Sequence, residues 1–295
     1  MVQRWRLSSH SAGSVIKSSG YLKAALITQI AKRILIRFGC CICIFRVRVN
    51  LQSNFVIISI KVARLQRATP IGIPVHLLQR GNNRQDCFNL NGDYAAYLWW
   101  LREYSEKFQV EIHAWSLMKN HIHLLCTPQL EGGLSRMVQA LGRQYVRYFN
   151  HQNHRTGTLW EGRYRSCLVQ PEGYLLKVYR YIELNSVRKE YVSNPSEYHW
   201  SSYQINAQGK PSALCKPHSE YLKLGESKEE RSEKYQEMFE QSSREDLLEE
   251  IRDSTNKGLA FGDESFKIEV EKMTGRRVRS LKSGRPFGWR KQKSS

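Results

Sequence analysis

The chain has no acidic residue before Asp86 and none after Glu271. Residues 1–61 carry 10 bases, and nine more follow Glu271 with nothing to balance them. Over all 295 residues, 46 Lys and Arg stand against 27 Asp and Glu, a formal net charge of +19. A surplus of that size describes partners rather than fold, and it favours a polyanion such as nucleic acid. No apolar run reaches the roughly 20 residues of a membrane span. The nearest, Ile34 to Phe45, is broken by Arg37. The seven cysteines are odd in number, and their one Cys-x-x-Cys spacing, Cys40 to Cys43, has no second such pair to complete a four-thiolate site. That speaks against a disulfide framework or a thiolate zinc site and fits a reducing cytosol. There is no Gly-x-x-x-x-Gly-Lys-Ser/Thr loop, so no nucleotide cofactor is expected.

The charge divides the chain into three: a basic leader over 1–61, a body over 62–204, and an extension over 205–295 that ends in a basic tail. Three readings of the leader stand. It is upstream DNA translated from a misassigned start, with Val62 the true start if its codon is GTG; it is an Arg-rich transit peptide; or it is an interfacial anchor. In the body, Val75 to Gln79 reads as a strand. Asn91 or Asp93 caps a helix running to about Phe108, with Tyr94, Tyr97, Leu98, Leu101 and Tyr104 on one stripe. Glu111 to Met118 and His121 to Thr127 read as a hairpin about Lys119-Asn120. Leu134 to about Asn150 is a long helix, Arg163 to Val169 a fourth strand, and Pro171 opens a further helix to about Leu184. This order predicts an α+β domain with a mostly antiparallel sheet. In the extension, Glu229 to Arg252 and Ser265 to Met273 read as helical. The tail around Gly284-Arg285-Pro286 reads as a flexible basic arm that could grip a minor groove.

Alternation along the third strand puts His121, His123 and Leu125 on one face, and Ile122, Leu124 and Cys126 on the other. Residues two apart on a strand are about 6.6–7 Å apart at Cα, so both imidazoles can converge on one metal ion. They can equally be two surface histidines, although the strand around them is strongly apolar. On the helix from Pro171, Asn185 follows Tyr181 by four on the apolar stripe, so a phenol and an amide project together. Simple packing of Tyr181 is the competing reading. Tyr179 is a second candidate nucleophile, about 160° around the helix.

Residues 62–204 resemble the REP-associated tyrosine transposases, single-tyrosine members of the HUH endonuclease superfamily. The resemblance is carried by Pro74-Val75-His76 with Gln79-Arg80-Gly81-Asn82-Asn83-Arg84, and by Leu117-Met118-Lys119-Asn120-His121-Ile122-His123-Leu124-Leu125. It continues through Gly142-Arg143, Arg147-Tyr148-Phe149-Asn150 and Thr156 to Tyr164, and it closes with Tyr179 to Asn185 and Trp200-Ser201-Ser202-Tyr203. Glu250 to Val278 is similar to the C-terminal extension of longer members, whereas 1–61 has no counterpart. Ser186 stands where the family usually has proline.

The resemblance implies a ferredoxin-like HUH fold with a helical C-terminal extension. It implies a metal-dependent endonuclease and transposase acting on single-stranded or hairpin DNA with palindromic repeats. Tyr181 matches the nucleophile, and His121, His123 and Asn185 match the ligands of a divalent metal, Mg²⁺ or Mn²⁺. Two imidazoles with an amide oxygen suit Mn²⁺ somewhat better. Arg80, Arg84, Arg143, Arg147, Arg163 and Arg165 offer charge to the DNA backbone, and Trp160 and Tyr164 offer rings for stacking bases. A cytoplasmic, nucleoid-associated monomer or homodimer is expected. Two other classes fit the chain less well: a domesticated DNA-binding regulator without nuclease activity, and a metal-dependent hydrolase that uses water.

Overall fold

The computed structural model describes residues 67, 69–240 and 244–280. The leader and the tail after 280 lie outside the described residues. From Val75 onward, alternating apolar runs and helical stripes produce β1 (Val75–Arg80), α1 (Asn91–Lys107), β2 (Val110–Met118), β3 (His121–Pro128), α2 (Gly133–Gln152), β4 (Arg165–Val169) and α3 (Leu175–Glu183). Short helices α4 (Asn185–Arg188), α5 (Tyr203–Asn206) and α6 (Ser219–Leu222) then lead into α7 (Lys228–Glu240), α8 (Glu245–Lys257), β5 (Ala260–Phe261) and α9 (Glu264–Thr274).

The strands form one sheet in the order β2-β3-β1-β4-β5. β1 to β4 are antiparallel throughout, in ferredoxin-like order, and β5 adds in parallel to β4. The fold is α+β, as the element order predicted. Both faces of the sheet are covered. Val75, Leu77, Ile122, Leu124 and Cys126 pack with Tyr97 and Leu101 of α1 and Met137, Leu141 and Tyr145 of α2. Leu125, Cys167 and Val169 pack on the other side with Leu175, Val178 and Ile182 of α3 and Leu248 and Ile251 of α8. The alternation read from β3 is therefore the division between two cores. The extension joins this body, through β5 on the sheet and α8 against its second face.

Four local expectations need correction. β2 is not regular: Ile112 pairs with Cys126 and Ala114 with Leu125, so His113 is the extra residue of a β-bulge. The bulge moves Ala114 to the face opposite Ile112. Neither Asn91 nor Asp93 is the cap of α1. Leu90 holds that position, and the Asp93 carboxylate reaches back to accept from the backbone N–H groups of Asn89 and Leu90 at 2.8 and 3.0 Å. Pro171 does not open α3, because Gly173 takes a left-handed φ of 72° and the helix starts only at Leu175. Glu229 to Arg252 is shared between two helices, α7 and α8. Among the described residues, no helix is long and apolar enough to cross a membrane.

Candidate active site

The second face of the sheet places the predicted pair together. His121 and His123 follow the Lys119-Asn120 turn, and their ring centroids lie 5.2 Å apart at 82°. His121 Nδ1 is 2.7 Å from Asn120 Oδ1, and its Nε2 faces Asn185 Nδ2 at 3.3 Å. His123 Nδ1 is 2.8 Å from His76 Nε2. His76 Nδ1 in turn lies 2.9 Å from Thr255 Oγ1. Burial pulls His121 down to about 4 and His76 to about 3, and it holds His123 well below the usual imidazole range. The rings are therefore neutral at pH 7, the form that ligates a metal.

From the facing helix, the Tyr181 ring meets His123 edge-on at 5.8 Å and His76 at 5.6 Å. Asn185 follows one turn later at the start of α4 and is buried. Tyr181 is only 6% exposed, whereas His121 is half-buried. Burial raises the Tyr181 hydroxyl above the usual phenol range, while Arg188 and then Arg252 act against that rise. The Arg188 guanidinium lies 4.4 Å over the Tyr181 ring and also donates to the Tyr181 carbonyl. Tyr179 projects elsewhere: it is fully buried, with its ring 6.4 Å from His113 and 6.3 Å from Tyr221. Four residues after Tyr179 on this helix, Glu183 is fully buried and accepts from Ser202 Oγ, Asn206 Nδ2 and Tyr235 OH. Desolvation pushes its carboxyl up to about 7.

These residues fit a divalent cation. Asn120 and His76 each engage a histidine at Nδ1 and leave Nε2 as the remaining nitrogen, which is the usual way a protein orients an imidazole ligand. Asn185 carries the amide oxygen of an N,N,O donor set. Among the described residues no group of three or more His, Cys, Asp and Glu could hold a metal, so this mixed set is the candidate.

The predicted DNA contacts separate into two groups. Arg84, Arg143, Arg147 and Arg163 are exposed. Arg80 is ion-paired with Glu161 beside the site, and Arg165 donates to Asn256 Oδ1 at 2.6 Å. Trp160 and Tyr164 are not open stacking platforms. They are 7% and 6% exposed, and the Trp160 ring stacks on Tyr145 inside the first core. The sequence reading missed His76, Thr255, Arg188 and Arg252 as members of the site. His76 stood in a quoted motif, and its place beside Leu125 in the β1–β3 register was the available signal.

Residues 71–185 match the family model of IS200-like transposases. The solved structure of a REP-associated tyrosine transposase bound to a REP hairpin is similar at 17% identity and TM-score 0.41, covering 53% of this chain and 92% of that one. A putative transposase from Deinococcus radiodurans R1 is similar at 22% identity and TM-score 0.29, covering 36% and 86%. No curated protein matches. Tyr181, His121, His123 and Asn185 all fall inside residues 71–185, the segment that is similar to the IS200-like transposases.

Proposed function

We propose that this protein is a metal-dependent endonuclease and transposase that nicks and rejoins single-stranded DNA at palindromic repeat hairpins, through a covalent 5′-phosphotyrosine on Tyr181. The observation that carries this reading is the juxtaposition, within one chain, of the Tyr181 ring with His123 and of Asn185 with His121. The Tyr181 oxygen attacks a backbone phosphorus, the bond to the 3′ oxygen breaks, and that oxygen leaves as a free 3′-hydroxyl after taking up a proton. Transesterification conserves the bond energy, so strands rejoin by the reverse attack without ATP. An ordinary phenol has a pKa near 10 and burial works against its ionisation. Arg188 and Arg252 are the cations that favour the phenolate. His121, His123 and Asn185 would hold a divalent ion, Mg²⁺ or Mn²⁺, which would polarise the scissile phosphate and offset developing charge. Arg80, Arg84, Arg143, Arg147, Arg163 and Arg165 provide cations for the DNA backbone. The resemblance of residues 62–204 to REP-associated transposases supports hairpin DNA as substrate. A cytoplasmic, nucleoid-associated monomer or homodimer accommodates a site drawn from one chain.

The test is incubation with labelled hairpin oligonucleotides and Mg²⁺ or Mn²⁺, read on denaturing gels. A protein-linked product on wild type supports the proposal. A free 5′-phosphate identifies a water-using hydrolase, and binding without cleavage identifies a regulator.

A further inference from the structure

The second histidine of the pair is tied to the C-terminal extension by a chain of hydrogen bonds whose proton order can be deduced. Thr255 Oγ1 lies 2.8 Å from the Ile251 carbonyl, which can only accept, so the single hydroxyl proton of Thr255 points there. The contact between Thr255 Oγ1 and His76 Nδ1 must then be made by an N–H of His76. His76 and His123 are both buried and in contact, so neither ring is charged. A neutral imidazole carries one N–H. With that proton on Nδ1, His76 Nε2 is an acceptor, and His123 Nδ1 must be the donor across the 2.8 Å between them. His123 is therefore left with a bare lone pair on Nε2. Cys167 Sγ, 3.3 Å from Thr255 Oγ1, fits the same order by donating its S–H to the remaining lone pair.

We infer that Thr255 and His76 are positioning residues that set the tautomer of His123, so that the extension, from outside the family-matched segment, prepares the ligand nitrogen of the site. This rests on the reading of His123 as a metal ligand. The arrangement also says what the loss of Thr255 does. With no acceptor beside its Nδ1, His76 is better served by the opposite tautomer, with its proton on Nε2. It then donates to His123 Nδ1, and the His123 proton moves to Nε2, where it blocks a cation.

The test uses the full chain labelled with ¹⁵N-histidine and free of metal, and reads tautomers from long-range ¹H–¹⁵N correlation spectra. Wild type and Thr255→Ser are expected to show His123 with its proton on Nδ1, and Thr255→Val with its proton on Nε2. Mn²⁺ affinity by titration is expected to fall on the order of tenfold in Thr255→Val and to stay within about twofold in Thr255→Ser. A wild-type His123 protonated at Nε2, or a Thr255→Val protein with unchanged tautomer and unchanged Mn²⁺ affinity, overturns the inference. The wild-type spectrum decides the proton order even if the valine variant does not fold. Absence of Mn²⁺ binding by wild type, with the predicted tautomer present, counts against the metal-dependent function and leaves the relay standing.

Discussion

The ring of Tyr181 stands edge-on to that of His123, with centroids 5.8 Å apart and planes at 83°. Tyr179, two residues earlier on the same helix, is carried to a separate aromatic cluster with Tyr221 and Tyr235. Tyr181→Phe keeps the ring and its edge contacts while removing the oxygen proposed as nucleophile. Covalent adduct with a hairpin oligonucleotide should vanish, with hairpin affinity within about twofold of wild type. Tyr179→Phe should retain the adduct. An adduct on the first variant and none on the second would reassign the nucleophile.

Stability should depend on pH through buried groups of opposite sign. His76 and His113 drop from an ordinary 6.5 to about 3 and about 4. Below pH 6.5 the unfolded chain binds protons that the folded chain refuses, so stability falls as pH drops from 6.5 towards those values. Glu183 rises from 4.5 to about 7. The folded chain keeps a proton the unfolded chain has released, so stability is lost as pH rises from 4.5 through 7. Glu183→Gln removes that second loss. Between about pH 5 and 6.5 the histidines outnumber Glu183, so melting temperature should rise with pH, and more steeply in Glu183→Gln than in wild type; parallel curves would show that Glu183 is ionised in the fold without cost.

Gly81 has no room for a side chain. A Cβ there would come 2.2 Å from the Gln85 carbonyl oxygen and 2.8 Å from Cys87 Sγ, while the Gly81 N–H donates to Asn120 O at 2.9 Å beside His121. Its φ of −61° suits any residue, so space alone is the obstacle. Gly81→Ala should destabilise the fold by about 1–3 kcal/mol, measured by denaturant unfolding. A midpoint equal to wild type would show that the turn gives way freely.

Arg143 and Arg147 lie four apart on the exposed side of α2, where each can reach phosphate. Replacing both with Gln should weaken single-strand binding without changing sequence preference. The slope of log affinity against log salt should shrink by about 0.7 per residue. An unchanged slope would place the DNA elsewhere.

The candidate face was legible because β3 keeps a strict period of two: His121, His123 and Leu125 lie on one side while Ile122, Leu124 and Cys126 pack in the core on the other. The one-turn spacing of Tyr181 and Asn185 was legible for the same reason on a helix. The bulge at His113 was not, since an inserted residue leaves no compositional mark. Nor was the contact between His76 and Thr255, which joins positions 179 apart in sequence and arises only when α8 docks on the sheet. Trp160 misled because aromatic residues among arginines look the same whether they stack on bases or, as here, on Tyr145.

β5 contributes only Ala260 and Phe261, yet these residues occupy the outer edge of β4 at Leu168 and Val169. A shortened protein ending near residue 204 would leave that edge bare, with unpaired amides open to strand addition by another molecule. It would also uncover the apolar side chains of Leu248 and Ile251's neighbours on the sheet, Cys167 and Val169. Such a truncation should therefore yield a sticky, self-associating fragment rather than a minimal, well-behaved domain.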